Sequence, residues 1–438
     1  MKSEDGANSN VITEDKDAKQ IIILGSGFGG FYTLMRLLSW TKRSDNVKIT
    51  LISDENYFLF SPLLHAVAAG GIETRHTTLP IRRLKQRNKF EFVQSVVEKI
   101  DLQKRAVITD MGVFEYDFLV IALGGISNLP QIDHIVQEER TMFTLKTLYD
   151  SILIRNHIIK VFELASVKKS IACRKQLLTF IICGGGYTGI QMACELRDLI
   201  NDNLLRLYRS IDQSNVRIII VEQSDKIVRD LHPKLASYAL KAVNRMGIEI
   251  KFNSQITRIW RDRVEINETD IVPTDTLIWV TGVVANPRVA ELDSEKDGVG
   301  RVAVDEHLEV NNCPNVYALG DCAYLVADPQ SGLAVPPRAH HAVRQAKVVA
   351  QNILAHMRGE KKKIYVYSNS GEVVFLGASR AVFRFLGVRI CGRFANFLGL
   401  LGYSLLIPGG GYNRIRIIMD WLLYSIFGRD STFIRQIK

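Results

Sequence analysis

The chain has 438 residues, 47% hydrophobic and 23% charged, with 31 glycines and 11 prolines; at roughly 150 residues per domain this predicts two or three domains and excludes a disordered or low-complexity chain. Fifty-six Lys and Arg against 46 Asp and Glu leave a formal charge of +10, of which +9 sits in residues 361–438 with twelve Lys or Arg against three acids. Such a tail admits an anionic partner, and the six scattered cysteines without a C-x-x-C pair exclude a disulfide scaffold and a local zinc site, so no metal is expected.

Residues 1–19 are polar and acidic and read as a disordered leader, neither a signal peptide nor an Arg-rich transit peptide. Residues 20–38, QIIILGSGFGGFYTLMRLL, run from a short apolar stretch through a glycine cluster into apolar residues at helical spacing, which is strand, tight turn and helix. Residues 178–196, LTFIICGGGYTGIQMACEL, repeat that arrangement. A second strand follows each helix, VKITLI at 47–52 and VRIIIV at 216–221, as in a doubly wound parallel sheet. Residues 90–100 and 105–110 read as a small antiparallel excursion, and FLVIALG at 118–124 as another buried strand. The pattern recurs at 248–259, 263–266 and 276–282, after which NVYALGD at 315–321 leads into a helix from about 337 to 356. The expected fold class is α/β, with two Rossmann-like dinucleotide-binding domains. The second, residues 141–282, is inserted in the first, residues 20–140 and 283–360. A C-terminal region at 361–438 starts rich in strand near 364–376 and ends in apolar helices.

Gly25, Gly27 and Gly30 form G-x-G-x-x-G between strand and helix. The first permits the tight turn, the second lets a pyrophosphate reach the backbone, and the third lets the helix pack on the strand. Gly184, Gly186 and Gly189 repeat it. One such turn also arises for packing alone; two in the same context argue for two dinucleotides in one chain. Glu222, ending the second strand of the second unit, is placed to accept ribose hydroxyls and repel a 2′-phosphate, favouring NADH over NADPH, with a solvated strand-end acid as the alternative. In the first unit that position is Ser53, with Asp54 beside it. Gly320 and Asp321, just after a strand, either reach the ribityl chain and pyrophosphate of a flavin dinucleotide or form an ordinary turn.

The sequence resembles the two-dinucleotide-binding-domain flavoproteins and, within them, the type II NADH:quinone oxidoreductases, single-subunit NADH dehydrogenases that do not pump protons. The residues that carry the resemblance are GSGFGG at 25–30, YFLFSPLLHAVAAG at 57–70, GGGYTGIQMACEL at 184–196, WVTGVVANP at 279–287, NVYALGDCA at 315–323 and AHHAVRQ at 339–345. The resemblance implies FAD held by Gly25, Gly27, Phe28, Gly29, Gly30, Ser53, Val97, Gly124, Gly320 and Asp321, and NADH held by Gly184, Gly186, Gly189, Gln191, Glu222 and Gly282. It further implies hydride transfer from NADH to flavin and reduction of a membrane quinone. Glu163, in the helical stretch 150–165, matches the family's proton-relaying glutamate and reads equally as a surface acid. The family usually carries Gln where His340 and Arg344 stand, with Gln345 following, and Glu where Gln191 stands. His340 either hydrogen-bonds or protonates the quinone or packs beside the flavin. The catalytic candidates are thus Glu163, His340 and Gln345. Two rival functions remain: a sulfide:quinone oxidoreductase-like flavoprotein, which needs redox cysteines near the flavin, and a non-catalytic flavin-binding protein.

The tail mixes arginines with Phe394, Phe397, Leu398, Leu400, Leu401, Leu405, Leu406, Ile407, Ile415, Ile418, Met419, Trp421, Leu422, Leu423, Ile426 and Phe427. Its longest uncharged stretch, 394–407, has 14 residues, short of the roughly 20 that span a bilayer. Such a segment lies on an anionic membrane surface, apolar face down, or else covers a core or forms a homodimer. Nucleic acid is excluded as a partner, because apolar residues dominate between the arginines. The expectation is a peripheral protein on the cytoplasmic face of a prokaryotic cell membrane.

Overall fold

The computed structural model describes residues 18–84, 89–129, 142–328, 332–368, 371–406 and 410–433. Residues 1–17 of the expected leader, the expected domain seam near 140, and Ile407, Arg435 and Lys438 of the tail lie outside them.

Continuous Ile, Leu and Val runs suit strands buried on both faces, and two five-stranded sheets result, parallel throughout. The first is ordered Val316–Ala318, Phe118–Ile121, Lys19–Leu24, Val47–Ser53, Glu91–Gln94. The second is ordered Met142–Thr144, Thr276–Trp279, Thr179–Cys183, Arg217–Val221, Glu249–Lys251. The first sheet therefore takes four strands from before residue 122 and one from after residue 315, while the second is complete between 142 and 279. The α/β expectation holds. Ile21, Ile23 and Leu24 in one sheet and Ile181, Ile182 and Ile219 in the other are fully buried, each contributing about 2 kcal/mol.

Residues 90–100 depart from the expected excursion. Glu91–Gln94 joins the first parallel sheet, and only Val97–Asp101 pairs antiparallel with Ala106–Thr109, which in turn pairs with Gly112–Glu115. The break falls at Ser95, whose N–H donates to Ser53 O at 3.0 Å and whose Oγ donates to Asp110 Oδ1 at 2.5 Å, so one residue serves both sheets. In the C-terminal region the strand expected near 364 is shorter: Gly371–Phe375, Ala381–Phe385 and Val388–Gly392 form an antiparallel meander, followed by helices Arg393–Leu406 and Gly410–Phe427. The tail returns to the second sheet's helix through a buried ion pair, Arg429 Nη2 to Glu195 Oε2 at 2.7 Å. Among the described residues no helix is long and apolar enough to cross a membrane.

Candidate functional site

Each glycine fingerprint folds for a steric reason. Gly25 sits at φ +93°, and a Cβ there would meet Ala122 O at 2.4 Å; a Cβ on Gly30 would lie 1.9 Å from Gly25 O, so helix Phe28–Trp40 packs as closely on its strand as a backbone allows. Gly27, which caps that helix, has open space where its side chain would be. The second copy is superposable in its logic: φ +115° at Gly184, a 1.9 Å approach of a Gly189 Cβ to Gly184 O, and open space at Gly186, which caps helix Tyr187–Leu199. A helix N-terminus with unclaimed N–H groups and no side chain in the way is a pyrophosphate cradle, so both sites fit a dinucleotide.

Around the first cradle, Phe28 packs edge-on against Phe58 at 5.0 Å, Leu319 lies against Gly29, and Val97 is buried. Ser53 is buried with its Oγ 3.0 Å from Ser26 Oγ, and Asp54 beside it is exposed. Space is open at Gly124. Gly320 donates its N–H to Gln345 Oε1 at 2.8 Å, and Asp321 takes Lys146 Nζ at 2.8 Å. Lys146 is fixed by the capping box of helix Leu148–Val167, where Thr147 and Asp150 bond each other's N–H at 3.0 Å.

At the second cradle Glu222 is a hub. Its Oε2 accepts Gly185 N–H at 2.6 Å, its Oε1 accepts Ser224 N–H at 2.9 Å and Ser224 Oγ at 2.6 Å, and Arg229 lies 3.7 Å away. Burial pushes this carboxyl up, but the Ser224 and Gly185 donors and the Arg229 charge outweigh it and hold it below the usual range. Space is open at Gly282, and Gln191 is buried with no partner on Nε2.

Among the buried side-chain polar atoms of the described residues that lack a hydrogen-bond partner are also Tyr187 Oη, His340 Nε2 and His341 Nε2. The two histidine rings lie 4.0 Å apart at the start of helix Ala339–Arg358, and Arg338, just before them, stacks on Tyr187 at 5.0 Å. Unpaired buried polar groups are costly, and these lie on the opening residues of the two helices that Arg338 joins, Tyr187–Leu199 and Ala339–Arg358, where a ligand would satisfy them. Burial, then Arg338 and Arg344, push His340 down to about 4 against a smaller upward pull from Glu372; His341 is pushed to about 3 by burial, His340 and the same arginines. His340 is therefore neutral at physiological pH and presents a hydrogen-bonding imidazole, not a proton store. Between pH 6.5 and about 4 the unfolded chain binds more protons than the folded one, so this part of the stability is complete above pH 6.5 and lost on acidification. A pH–rate profile from pH 6 to 8 should lack a His340 titration, with His340→Gln following the wild-type curve; a limb abolished by the substitution would contradict this.

Glu163 is exposed, accepts Tyr208 Oη at 2.9 Å, and stands fifteen residues into the helix that begins at Leu148. At 1.5 Å per residue that is about 22 Å along the axis from the end held to Asp321. Gln345 is buried, with its oxygen accepting Gly320 N–H, so it shapes the turn while its Nε2 amide is still a donor. Arg344 donates to the carbonyls of Ser368 and Val366 at 2.5 and 3.3 Å. Sequence reasoning missed Lys146, Tyr187 and Arg338; a basic residue directly before a histidine-bearing helix was the available signal for the last.

Two dinucleotide cradles in one chain, with polar atoms open to a ligand at the start of helix Ala339–Arg358, define a two-nucleotide oxidoreductase. The description "Pyridine nucleotide-disulphide oxidoreductase" matches residues 19–346. A probable NADH dehydrogenase of Dictyostelium discoideum is 32% identical over 424 residues, covering 94% of this chain and 90% of that protein. A type II NADH:quinone oxidoreductase of Staphylococcus epidermidis is 32% identical over 390 residues, covering 87% and 94%. The NDH2 structure of Plasmodium falciparum in complex with NADH superposes with a TM-score of 0.85 at 20% identity, covering 94% of this chain and 99% of that one. The chain belongs to the type II NADH:quinone oxidoreductase family within the pyridine nucleotide-disulphide oxidoreductases.

Proposed function

We propose that the chain is an FAD-dependent enzyme that oxidises NADH and reduces a membrane quinone, with FAD on the first cradle and NADH on the second. The observation that supports this is the pair of open glycine cradles in one chain, with Gln191 Nε2, His340 Nε2 and His341 Nε2 left open to a ligand. FAD is assigned to Gly25, Gly27, Phe28, Gly29, Gly30, Ser53, Val97, Gly124, Gly320 and Asp321; NADH is assigned to Gly184, Gly186, Gly189, Gln191, Glu222 and Gly282. Bound flavin supplies the two-electron exchange between NADH and quinone. The chain's own residues bind and orient: helix N-termini hold phosphate, Glu222 takes ribose hydroxyls, Gln345 and Lys146 fix the Gly320–Asp321 turn, and neutral His340 offers a hydrogen bond to the acceptor. Anaerobic addition of NADH should bleach the flavin absorbance and a quinone should restore it; bleaching by sulfide in place of NADH would overturn the assignment. The thiols speak against a sulfide reaction. All six cysteines are free, burial pushes Cys183 and Cys322 up to about 12 and Cys194 well above its ordinary value, and so none of these three is a ready thiolate.

The tail supports a lipid partner. Helix Gly410–Phe427 is inside out for water: Asn413 and Asp420 are buried, with Asp420 accepting Glu73 N–H at 3.1 Å and lying 2.5 Å from His76 Nδ1, while Ile415, Ile418, Met419, Leu422, Leu423 and Ile426 are 42–63% exposed. Residues 373–419 carry six arginines and no acid. We assign this face to an anionic membrane surface, on the cytoplasmic side in a prokaryote, with a homodimer as the competing partner. Placing Asp at both Ile418 and Leu422 should weaken co-sedimentation with phosphatidylglycerol vesicles about a hundredfold or more, since two buried aliphatic side chains at about 1.5 kcal/mol each come to about 3 kcal/mol. Unchanged sedimentation with a halved particle mass would favour the dimer.

A further inference from the structure

Arg338 joins three parts of the fold. Its Nη2 lies 2.7 Å from Asp230 Oδ2 in the loop after Glu222, and its Nη1 lies 3.4 Å from Glu372 Oε1 in the C-terminal meander. Its guanidinium covers the ring of Tyr187, the first residue of the second cradle's helix, at 5.0 Å. Glu372 is fully buried and shared with Arg384 at 3.2 Å, so it is a fixed anchor, whereas the Asp230 carboxylate is 68% exposed. An exposed ion pair alone contributes little. Here the arginine is held in advance by Glu372 and the Tyr187 ring, so pairing with Asp230 costs the ordering of one short side chain.

What Asp230 holds in place is under tension. Two residues before it, Val228 adopts φ +41°, a conformation a β-branched residue enters only when its surroundings impose it. The loop is imposed on the cradle by Val228 N–H donating to Gly185 O at 2.9 Å, by Ser224 donating to Glu222, and by Arg229 lying 3.7 Å from Glu222. Each of those contacts touches a residue that shapes the second cradle. Ile227, Val228 and Leu231 seat the loop in the core, and the Asp230–Arg338 pair adds the ionic tie between the loop and the start of helix Ala339–Arg358.

We propose that Arg338 is a positioning residue for NADH: it clasps the strained loop 223–232 onto the second cradle through Asp230 and keeps the Tyr187 ring in place at the head of the cradle's helix. This rests on NADH occupying the second cradle. Loss of the clasp loosens the loop over the second cradle and shifts Glu222 against the ribose; in Asp230→Asn, where Arg338 stays beside His340, the acceptor side is untouched.

The test uses the flavin-loaded, full-length protein. Calorimetric titration with NAD+, which binds without reducing the flavin, should give an affinity weaker by about fivefold to tenfold in Arg338→Ala, the loss of one charge-assisted contact and one cation–ring contact. Asp230→Asn, an exposed change that leaves the core intact, should weaken it by about threefold, because the charge is lost and the shape kept. Arg338→Lys should not rescue, since an ammonium cannot grip two carboxylates and stack at once. In stopped flow of Asp230→Asn, the NADH concentration for half-maximal bleaching should rise while reoxidation of pre-reduced flavin by quinone keeps its rate. Wild-type affinity in both Arg338→Ala and Asp230→Asn overturns the clasp, as does a reoxidation rate in Asp230→Asn that falls in step with bleaching. Failure of the wild-type protein to bind NAD+ at all would instead sink the NADH assignment.

Discussion

Glu222→Ala should raise the KM for NADH about a hundredfold, with flavin content unchanged. The carboxylate already accepts Gly185 N–H, Ser224 N–H and Ser224 Oγ within 2.9 Å, and those donors hold it charged and aimed. Removing it deletes the ribose acceptor and also releases Ser224 and Gly185, and two charge-assisted bonds at about 1.5 kcal/mol each come to about 3 kcal/mol, or two decades. Glu222→Gln separates the two roles. Gln keeps an oxygen for Gly185 N–H but carries no charge to repel a 2′-phosphate, so the preference for NADH over NADPH should shrink more than the KM for NADH grows. Steady-state kinetics with both nucleotides measure this. An unchanged NADH/NADPH ratio in Glu222→Gln would show that the acid serves the loop alone.

How much of this was readable in advance follows from which interactions are local. The parallel strands were legible because burial on both faces demands unbroken apolar runs such as IIIL and TFIIC, and the cradles because a 1.9 Å backbone approach admits no residue except glycine. Glu222 was legible because it ends a strand whose register against Thr179–Cys183 is set by the same runs. The position of Glu163 along its helix was not legible, because helical periodicity tells which residues share a face, not which end of a 20-residue helix meets the cofactor. The bond from Gly320 N–H to Gln345 was not legible either, because it joins residues 25 positions apart, which no spacing encodes. Arg338 escaped because its partners, Asp230 and Glu372, come from two other parts of the chain. The strand Met142–Thr144, three residues long, also gave no signal of its own, since it is defined by pairing with Thr276–Trp279. The apolar tail was legible as amphipathic, but not the burial of Asp420 on the protein side, which depends on the turn at residues 73–76.

The two cradles are sterically alike but rest on separate cores, and that separates the outcomes of matching substitutions. In Gly30→Ala the new methyl group meets Gly25 O at 1.9 Å and Gly25 C at 3.1 Å, with Ile23 behind it at 3.2 Å. Nothing there is the free end of a flexible side chain, so helix Phe28–Trp40 must move off its strand, at a cost of about 3 kcal/mol or more. The shift moves Gly27 and Gly29, so Gly30→Ala should purify without flavin and with a markedly lower Tm. Gly189→Ala forces the same 1.9 Å clash against Gly184 O, yet its surroundings belong to the core formed by Phe180, Ile182, Ile190 and Ala193, distinct from the one around Ile21, Phe31 and Leu119. Gly189→Ala should therefore stay yellow, lose calorimetric binding of NAD+, and resist bleaching by NADH while still being reoxidised by quinone after chemical reduction. Absorbance of the purified proteins and anaerobic bleaching distinguish the pair. A yellow Gly30→Ala together with a colourless Gly189→Ala would reverse the assignment of flavin to the first cradle and NADH to the second.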